Sequence, residues 1–229
     1  TGQLDDVLAL GLVPIGAATA NDADLVPEYL KTKFSDKSAE LDKIAKVGKR
    51  TEPDLGAIAN LHPDLILINN TNKKEEVYES LSKIAPTVVT EGTGHNWKQD
   101  FLMIASALGA TSKAEEMLKD YEDKAKKLGE KAGKEKTFSF LYAAGDRTRV
   151  YAKSSFVGSI CEDASLARPA YLFYGVQGGD ESKLTSETLW ESLKAVKEKH
   201  AHKVDSDMFY LNAGITAALG VIEEIDKHI

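Results

Sequence analysis

Residues 112–132, SKAEEMLKDYEDKAKKLGEKA, constrain the fold more than any other stretch of this chain. Apolar Ala114, Met117, Leu118, Tyr121, Ala125, Leu128 and Ala132 recur at steps of mostly three and four, with Lys119, Asp120, Glu122, Asp123, Lys126 and Lys127 between them. That spacing predicts one helix with a packing stripe and a solvent face. Ser112 and Glu115 have the S-x-x-E spacing of a capping box, and Gly133 closes the pattern. At about 1.5 Å per residue the helix spans roughly 30 Å, the width of a small domain. Such an element is either a brace between two lobes or a surface helix of one.

The flanking chain must therefore supply either two small lobes or one large domain, and 229 residues with 42% hydrophobic content suffice for both. No run of eighteen apolar residues occurs, and TGQLDDVLALG at the start has neither the basic flank nor the apolar core of a signal segment. A net charge of −7 argues against a nucleic-acid surface, which needs a clustered positive field. Cys161 is the one cysteine, which excludes an internal disulfide and a thiolate metal cluster.

Before the long helix, apolar runs and amphipathic segments alternate. A helix end at 5–10 stops at Gly11, a short strand is expected at 13–17, a helix at 25–30, a loop at 35–42 and an apolar piece at 44–47. Asp54 is a plausible N-cap for a helix with Leu55, Ile58, Ala59 and Leu61 inward, and residues 65–68 read as a central parallel strand. Asn69, Asn70, Thr71 and Asn72 follow that strand, then a helix at 74–84, a strand at 87–90, the loop 91–97 and a helix at 99–108. Strand-then-helix alternation predicts a parallel, doubly wound lobe, with ligand sites at the strands' carboxyl ends. Beyond the long helix come strands at 137–143 and 147–152 around a Gly145-Asp146 turn, a helix at 154–164 and a glycine-rich loop at 175–182. A helix at 185–196, an edge strand at 203–204 and a last helix at 213–225 complete the chain, too few strands to match the first lobe.

Two groups of residues suit ligand binding. His95 and Trp97, after the strand at 87–90, either grip a ligand or pack within their loop. Arg147, Arg149 and Tyr151 alternate, so in a strand they share one face: either a patch for anionic oxygens or a solvated strand surface. Among His62, His95, His200, His202 and His228 no pair has the H-x-x-x-H spacing, and no protein-built metal site is expected. G-x-S-x-G, G-x-x-x-x-G-K-[ST] and G-x-G-x-x-G are all absent, so nothing points to catalysis or a nucleotide cofactor.

Taken together, LDDVLALGLVPIGA, EPDLGAIANLHPDLILIN, SKIAPTVVTEGTGHNWKQDFLMIASALG, KAEEMLKDYEDK, RTRVYAKSSFVGSICEDASLARP and SLKAVKEKHAHKVDSDMFYLNAG resemble the iron-siderophore solute-binding proteins of ABC importers. The segments cover most of the chain in the family's order. The resemblance implies an α/β fold of two lobes with mainly parallel sheets flanked by helices and joined by the long helix: 1–110, 111–134 and 135–229. It implies a ferric siderophore held between the lobes, its iron already wrapped by the siderophore, with no cofactor and no protein metal ligand. Asn70, His95, Trp97, Tyr142, Arg147, Arg149 and Tyr151 become the implied ligand contacts, with Phe173 and Tyr174 as further candidates.

By the same resemblance the protein is not an enzyme. It is a monomer outside the cytoplasmic membrane, lipid-anchored or periplasmic, that docks on its permease through one acid per lobe. Glu187 matches the second-lobe acid; Gly56 stands where the first-lobe glutamate is usual, leaving Glu52 or Asp54. Two departures stand out: the chain begins after the family's first strand, and 187–193 lacks the family's A-D-hydrophobic strand, so the second lobe is expected to be incomplete. Rival readings are a binder of haem, cobalamin or another chelate, and an α/β enzyme acting on an anionic small molecule.

Overall fold

A computed structural model of the protein describes residues 2–19, 24–70, 75–92, 94–133, 137–144, 147–178 and 181–229. Thr71, Asn72, Thr93, Gly145, Asp146, Gly179 and Asp180, which the sequence reading placed in loops and turns, lie outside these. The chain divides into two compact units, Thr1–Leu118 with Gly214–Thr216, and Lys119–Ala213 with Ala217–Ile229.

In the first unit, α1 (Gly2–Ala9) leads into β1 (Gly16–Thr19), and α2 (Glu28–Lys33) is followed by a 3₁₀ turn and α3 (Ser38–Leu41). The polar letters of 35–42 thus fold into helical turns rather than the expected loop, because Leu41 is buried against Leu30 and Ile44. β2 (Ala45–Lys49) pairs parallel with β1 and antiparallel with β3 (Glu52–Pro53). Asp54 caps α4 (Leu55–Asn60) as its sequence predicts, accepting from the Ala57 N–H at 2.9 Å. β4 (Ile66–Asn69), α5 (Glu75–Ser82) and β5 (Thr87–Thr90) then form a unit in which β4 and β5 run parallel as a separate sheet.

The turn from α6 (Trp97–Ala107) into α7 (Thr111–Ala132) explains why the long helix begins where it does. Gly109, at φ 67°, donates to the Ser106 carbonyl at 3.2 Å while Ala110 donates to that of Ala105 at 2.8 Å, a Schellman closure of α6. The Ala110 carbonyl in turn accepts from Ala114, so Ser112 lies within the first turn rather than at the cap expected of it. Along α7, Ala114, Leu118, Tyr121, Ala125, Leu128 and Ala132 are buried, and Lys119–Asp123 and Lys124–Asp120 pair on the outer face.

The second unit is built on a sheet of order β7-β6-β8-β9, from β6 (Thr137–Ala144), β7 (Arg147–Val150), β8 (Ala167–Gln177) and β9 (Ala201–Lys203). β6, β8 and β9 are parallel, and β7 closes one edge antiparallel to β6. β8, a central strand, had no counterpart in the sequence reading: apolar on both faces, it lacks alternation and runs through the glycine expected to open a loop. α8 (Phe156–Asp163) is capped by Ser155, whose Oγ accepts from the Gly158 N–H at 3.1 Å. The single helix expected at 185–196 is three short ones, α9 (Ser182–Thr185), α10 (Thr188–Ser192) and α11 (Lys194–Lys197), broken where Glu187 and Leu193 are extended. The breaks let Trp190 turn edge-on to Tyr174, at 4.8 Å between ring centroids. Residues 187–193 contain no strand, and a π-helical turn (Asp207–Leu211) leads to α12 (Ile215–Asp226).

Two anchorings hold the long elements. α12 is capped from far away in sequence: Asp6 Oδ1 accepts from the Ile215 N–H at 3.1 Å and Asp5 Oδ1 from that of Thr216 at 2.8 Å. α7 is anchored at Gly129, where a Cβ would sit 2.0 Å from the Ala164 carbonyl oxygen, so only glycine permits this approach of α8's end. No described helix is long and apolar enough to cross a membrane.

Candidate functional site

The second unit concentrates aromatic and cationic side chains on one face of its sheet. Tyr142 on β6 lies opposite Arg149 on β7 and opposite Gly175 on β8, so the pairing turns all three positions to the same side. Arg147 follows on that face, opposite Ala144, and Tyr151 continues it just past β7, its N–H on the Phe140 carbonyl at 2.9 Å. The alternation expected of Arg147, Arg149 and Tyr151 is thus present: both arginines are exposed and Tyr151 is half-buried.

Tyr210, which sequence reading did not single out, completes the group. Its ring stacks on Tyr142 at 5.2 Å and tilts against Tyr151 at 4.9 Å, while Tyr142 meets Tyr151 edge-on at 6.4 Å. The Tyr210 hydroxyl donates to the Phe173 carbonyl at 2.9 Å. Gly175 makes room for it: a Cβ there would lie 2.7 Å from the Tyr210 ring and 2.6 Å from Ser206 Oγ. Tyr142 donates to Gln177 Oε1 at the end of β8.

The phenols are held neutral. Burial, with Tyr151 and Asp207 nearby, pushes Tyr142 up to about 12, against the opposing charge of Arg149. Burial also raises Tyr151, although the Arg149 guanidinium, charged and hydrogen-bonded to it, pulls the other way. The result is an apolar, neutral aromatic surface beside two cations: phenols that stack or donate, guanidiniums that take carboxylate or other anionic oxygens.

Phe173 and Tyr174 do not join this group. Phe173 is fully buried between Phe140 and Phe209, at 5.8 and 6.2 Å between centroids. Tyr174, its neighbour in the strand, necessarily points to the other face, where its hydroxyl donates to Glu181 Oε1 at 2.8 Å.

In the first unit, Asn70 is exposed directly after β4, its N–H on the Thr90 carbonyl at 2.8 Å, and His95 is exposed in the loop before α6. Trp97 is only 1% exposed; it packs as the first residue of α6, with Lys98 Nζ 5.8 Å from its ring centroid. What shapes the loop after β5 is Asp100, whose two carboxylate oxygens accept from the Glu91 and Gly92 N–H groups at 2.9 Å each. Burial raises the Asp100 carboxyl despite these two bonds. Asp100 sits among apolar letters in α6, and no spacing rule marks it. Among the described residues no group of three or more His, Cys, Asp or Glu side chains is placed to hold a metal ion.

With this geometry in view, the family model described as periplasmic binding protein matches residues 1–171. The chain belongs to the periplasmic binding protein family. Among curated members, the probable siderophore-binding lipoprotein YfiY of Bacillus subtilis (strain 168) is 31% identical over 97% of this chain and 78% of its own length. The Fe(3+)-citrate-binding protein YfmC of the same organism is 28% identical over 99% of this chain and 78% of its own length. Among solved structures, SirA of Staphylococcus aureus superposes with a TM-score of 0.83 at 25% identity, covering all of this chain and 96% of that one, and has also been solved with staphyloferrin B. As a periplasmic binding protein the chain is a solute binder and not an enzyme. Of the acids considered for docking a partner, Glu52 and Glu187 are exposed, whereas Asp54 is engaged as the cap of α4.

Proposed function

We propose that this chain captures a ferric siderophore outside the cytoplasmic membrane and hands it to an ABC permease for iron uptake. The observation that carries the reading is the Tyr142–Tyr151–Tyr210 wedge beside Arg147 and Arg149, in a family whose similar members bear siderophore and ferric citrate names. A ferric siderophore presents flat or apolar surface and anionic oxygens rather than an open metal, and the wedge offers the complement of both. Iron travels as cargo within its chelator. Arg149 and Arg147 pair with the anionic oxygens, Tyr142 and Tyr151 pack on the chelator's body, and Tyr210 positions them. Asn70 and His95 are further proposed contacts; Trp97 and Phe173, being buried, are assigned to packing, and Tyr174 to the opposite face. Glu52 and Glu187 are the proposed docking acids for permease cations. The protein works as a monomer, held at the membrane surface as a lipoprotein or free in the periplasm, without a cofactor.

Calorimetric titration with ferric carboxylate, catecholate and hydroxamate siderophores tests this. Saturable one-to-one binding of at least one class is expected, with the anionic classes favoured. Heats indistinguishable from dilution for all three would overturn the proposal.

A further inference from the structure

β6 and β8 stop level with each other. Their last residues, Ala144 and Gln177, are partners in the parallel pairing, and Arg147 of β7 lies opposite Ala144 on the other side. The three form one row across the sheet, directly beyond the row Arg149–Tyr142–Gly175 and on the same face. By the usual spacing of strands, Arg147 and Gln177 stand roughly 10 Å apart at their backbones, with only the Ala144 methyl group between them. β8 ends there because Gly178, at φ 57°, turns the chain away. The row thus occupies the carboxyl ends of parallel strands, where ligands gather in open α/β sheets.

Gln177 is coupled to the tyrosines behind it. Tyr142 is only 3% exposed, whereas Gln177 and Arg147 are exposed, so Gln177 is the member of the pair that meets solvent. The Tyr142 phenol donates to Gln177 Oε1. Burial, ahead of Tyr151 and Asp207, pushes that phenol up to about 12, so it keeps the proton it donates. A carboxamide whose oxygen is occupied in this way offers two N–H donors from Nε2. No acceptor takes them among the described residues.

We infer that Gln177 is a specificity-determining contact: with Arg147 it brackets a free carboxylate of the chelator over Ala144, the amide taking one oxygen and the guanidinium the other. This rests on the proposed siderophore capture and narrows it to chelators of the carboxylate type. A carboxylate at the edge of a ferric complex carries two oxygens on one carbon and only accepts, which fits a neutral donor on one side and a cation on the other. Catecholate and hydroxamate oxygens turn inward to the iron and leave no such pair at the edge. A second cation at position 177 would attract any anion; an amide fixed by Tyr142 adds direction without adding charge.

The test is calorimetric titration of the native chain, Gln177→Met, Gln177→Glu and Ala144→Leu, each with ferric citrate, a ferric tricatecholate and a neutral ferric trihydroxamate. The native chain is expected to bind ferric citrate. Methionine keeps the length of the side chain and removes the donors. Gln177→Met should therefore weaken ferric citrate about tenfold or more, the scale of one hydrogen bond to a charged group, and leave any binding of the other two within about twofold. Gln177→Glu still accepts from Tyr142 but meets the carboxylate with a like charge, and should weaken ferric citrate at least as much. Ala144→Leu fills the gap and should show the same selectivity, with thermal midpoints unchanged throughout. Undiminished affinity of Gln177→Met for ferric citrate, or an equal loss for every complex bound, would overturn the inference and leave Gln177 as a strand end that holds Tyr142. So would a native chain that binds the tricatecholate or the trihydroxamate but not ferric citrate, with the proposed function intact. A native chain that binds none of the three overturns both.

Discussion

Arg149 and Tyr142 face each other across the β6–β7 pair, and they divide the work of the proposed site between charge and surface. Arg149→Ala should weaken an anionic ferric siderophore about tenfold to a hundredfold, the value of one charge-assisted hydrogen bond, and a neutral complex far less. Parallel calorimetric titrations of the two complexes check this. A different residue contributes to the response to acid. His202 stacks on His228 at 3.7 Å, with Phe173 and His200 close by and Glu224 holding His228 at 3.3 Å. Burial first, then the His228 and His200 charges, lower the His202 imidazole below its ordinary 6.5, while Glu224 acts the other way. A lowered imidazole means that the unfolded chain binds the proton more readily, so this contribution to stability is full above about 6.5 and falls as pH drops below it. Glu224, itself lowered by Lys227 and His228 against burial, loses its contribution only below the ordinary carboxylate value of 4.5. Because burial raises the Asp6 and Asp100 carboxyls, which gives the opposite slope in both forms, the prediction is a difference: between those two values the urea midpoint of the native chain should lose more with falling pH, relative to His202→Phe, than it does above them. Identical slopes would remove His202 as the cause.

At the scale of elements, two long helices depend on contacts that their own sequences do not display. α12 starts with N–H groups satisfied by Asp5 and Asp6 from α1. Asp5→Ala strands the Thr216 N–H and the Tyr29 hydroxyl, which donates to Asp5 Oδ2 at 2.9 Å. The expected loss is about 2 kcal/mol, a cap plus one side-chain bond, read from chemical denaturation, with Asp5→Asn losing less. α7 depends on Gly129. Adding one methyl group there, Gly129→Ala, should cost about 1–3 kcal/mol through displaced backbone, whereas Lys126→Ala on the exposed face should be near neutral. Equal effects of the two would show that α7 and α8 do not approach as described.

At the scale of the molecule, much of the layout was legible because it rests on local rules. The apolar stripe of α7, the Asp54 cap and the parallel β4–β5 pair follow from periodicity and side-chain oxygen placement, and Arg147, Arg149 and Tyr151 share a face as alternation requires. What stayed hidden depends on contacts between distant residues. β8 is buried on both faces and carries no alternating signal, so a central strand passed for unstructured chain. Tyr210 reaches Tyr142 only because Gly175 leaves space on a neighbouring strand, and Trp97 and Phe173, aromatic and well placed in sequence, are consumed by packing.

The central claim is that the charged aromatic face of the second unit recognises an anionic ferric complex. Its most direct test is a pair of titrations, native chain against Arg147→Ala/Arg149→Ala, using an anionic and a neutral ferric siderophore of matched size. The account predicts that the double substitution weakens the anionic complex far more than the neutral one, while the circular dichroism spectrum is unchanged. Equal weakening of both, or undiminished binding of the anionic complex, would contradict it.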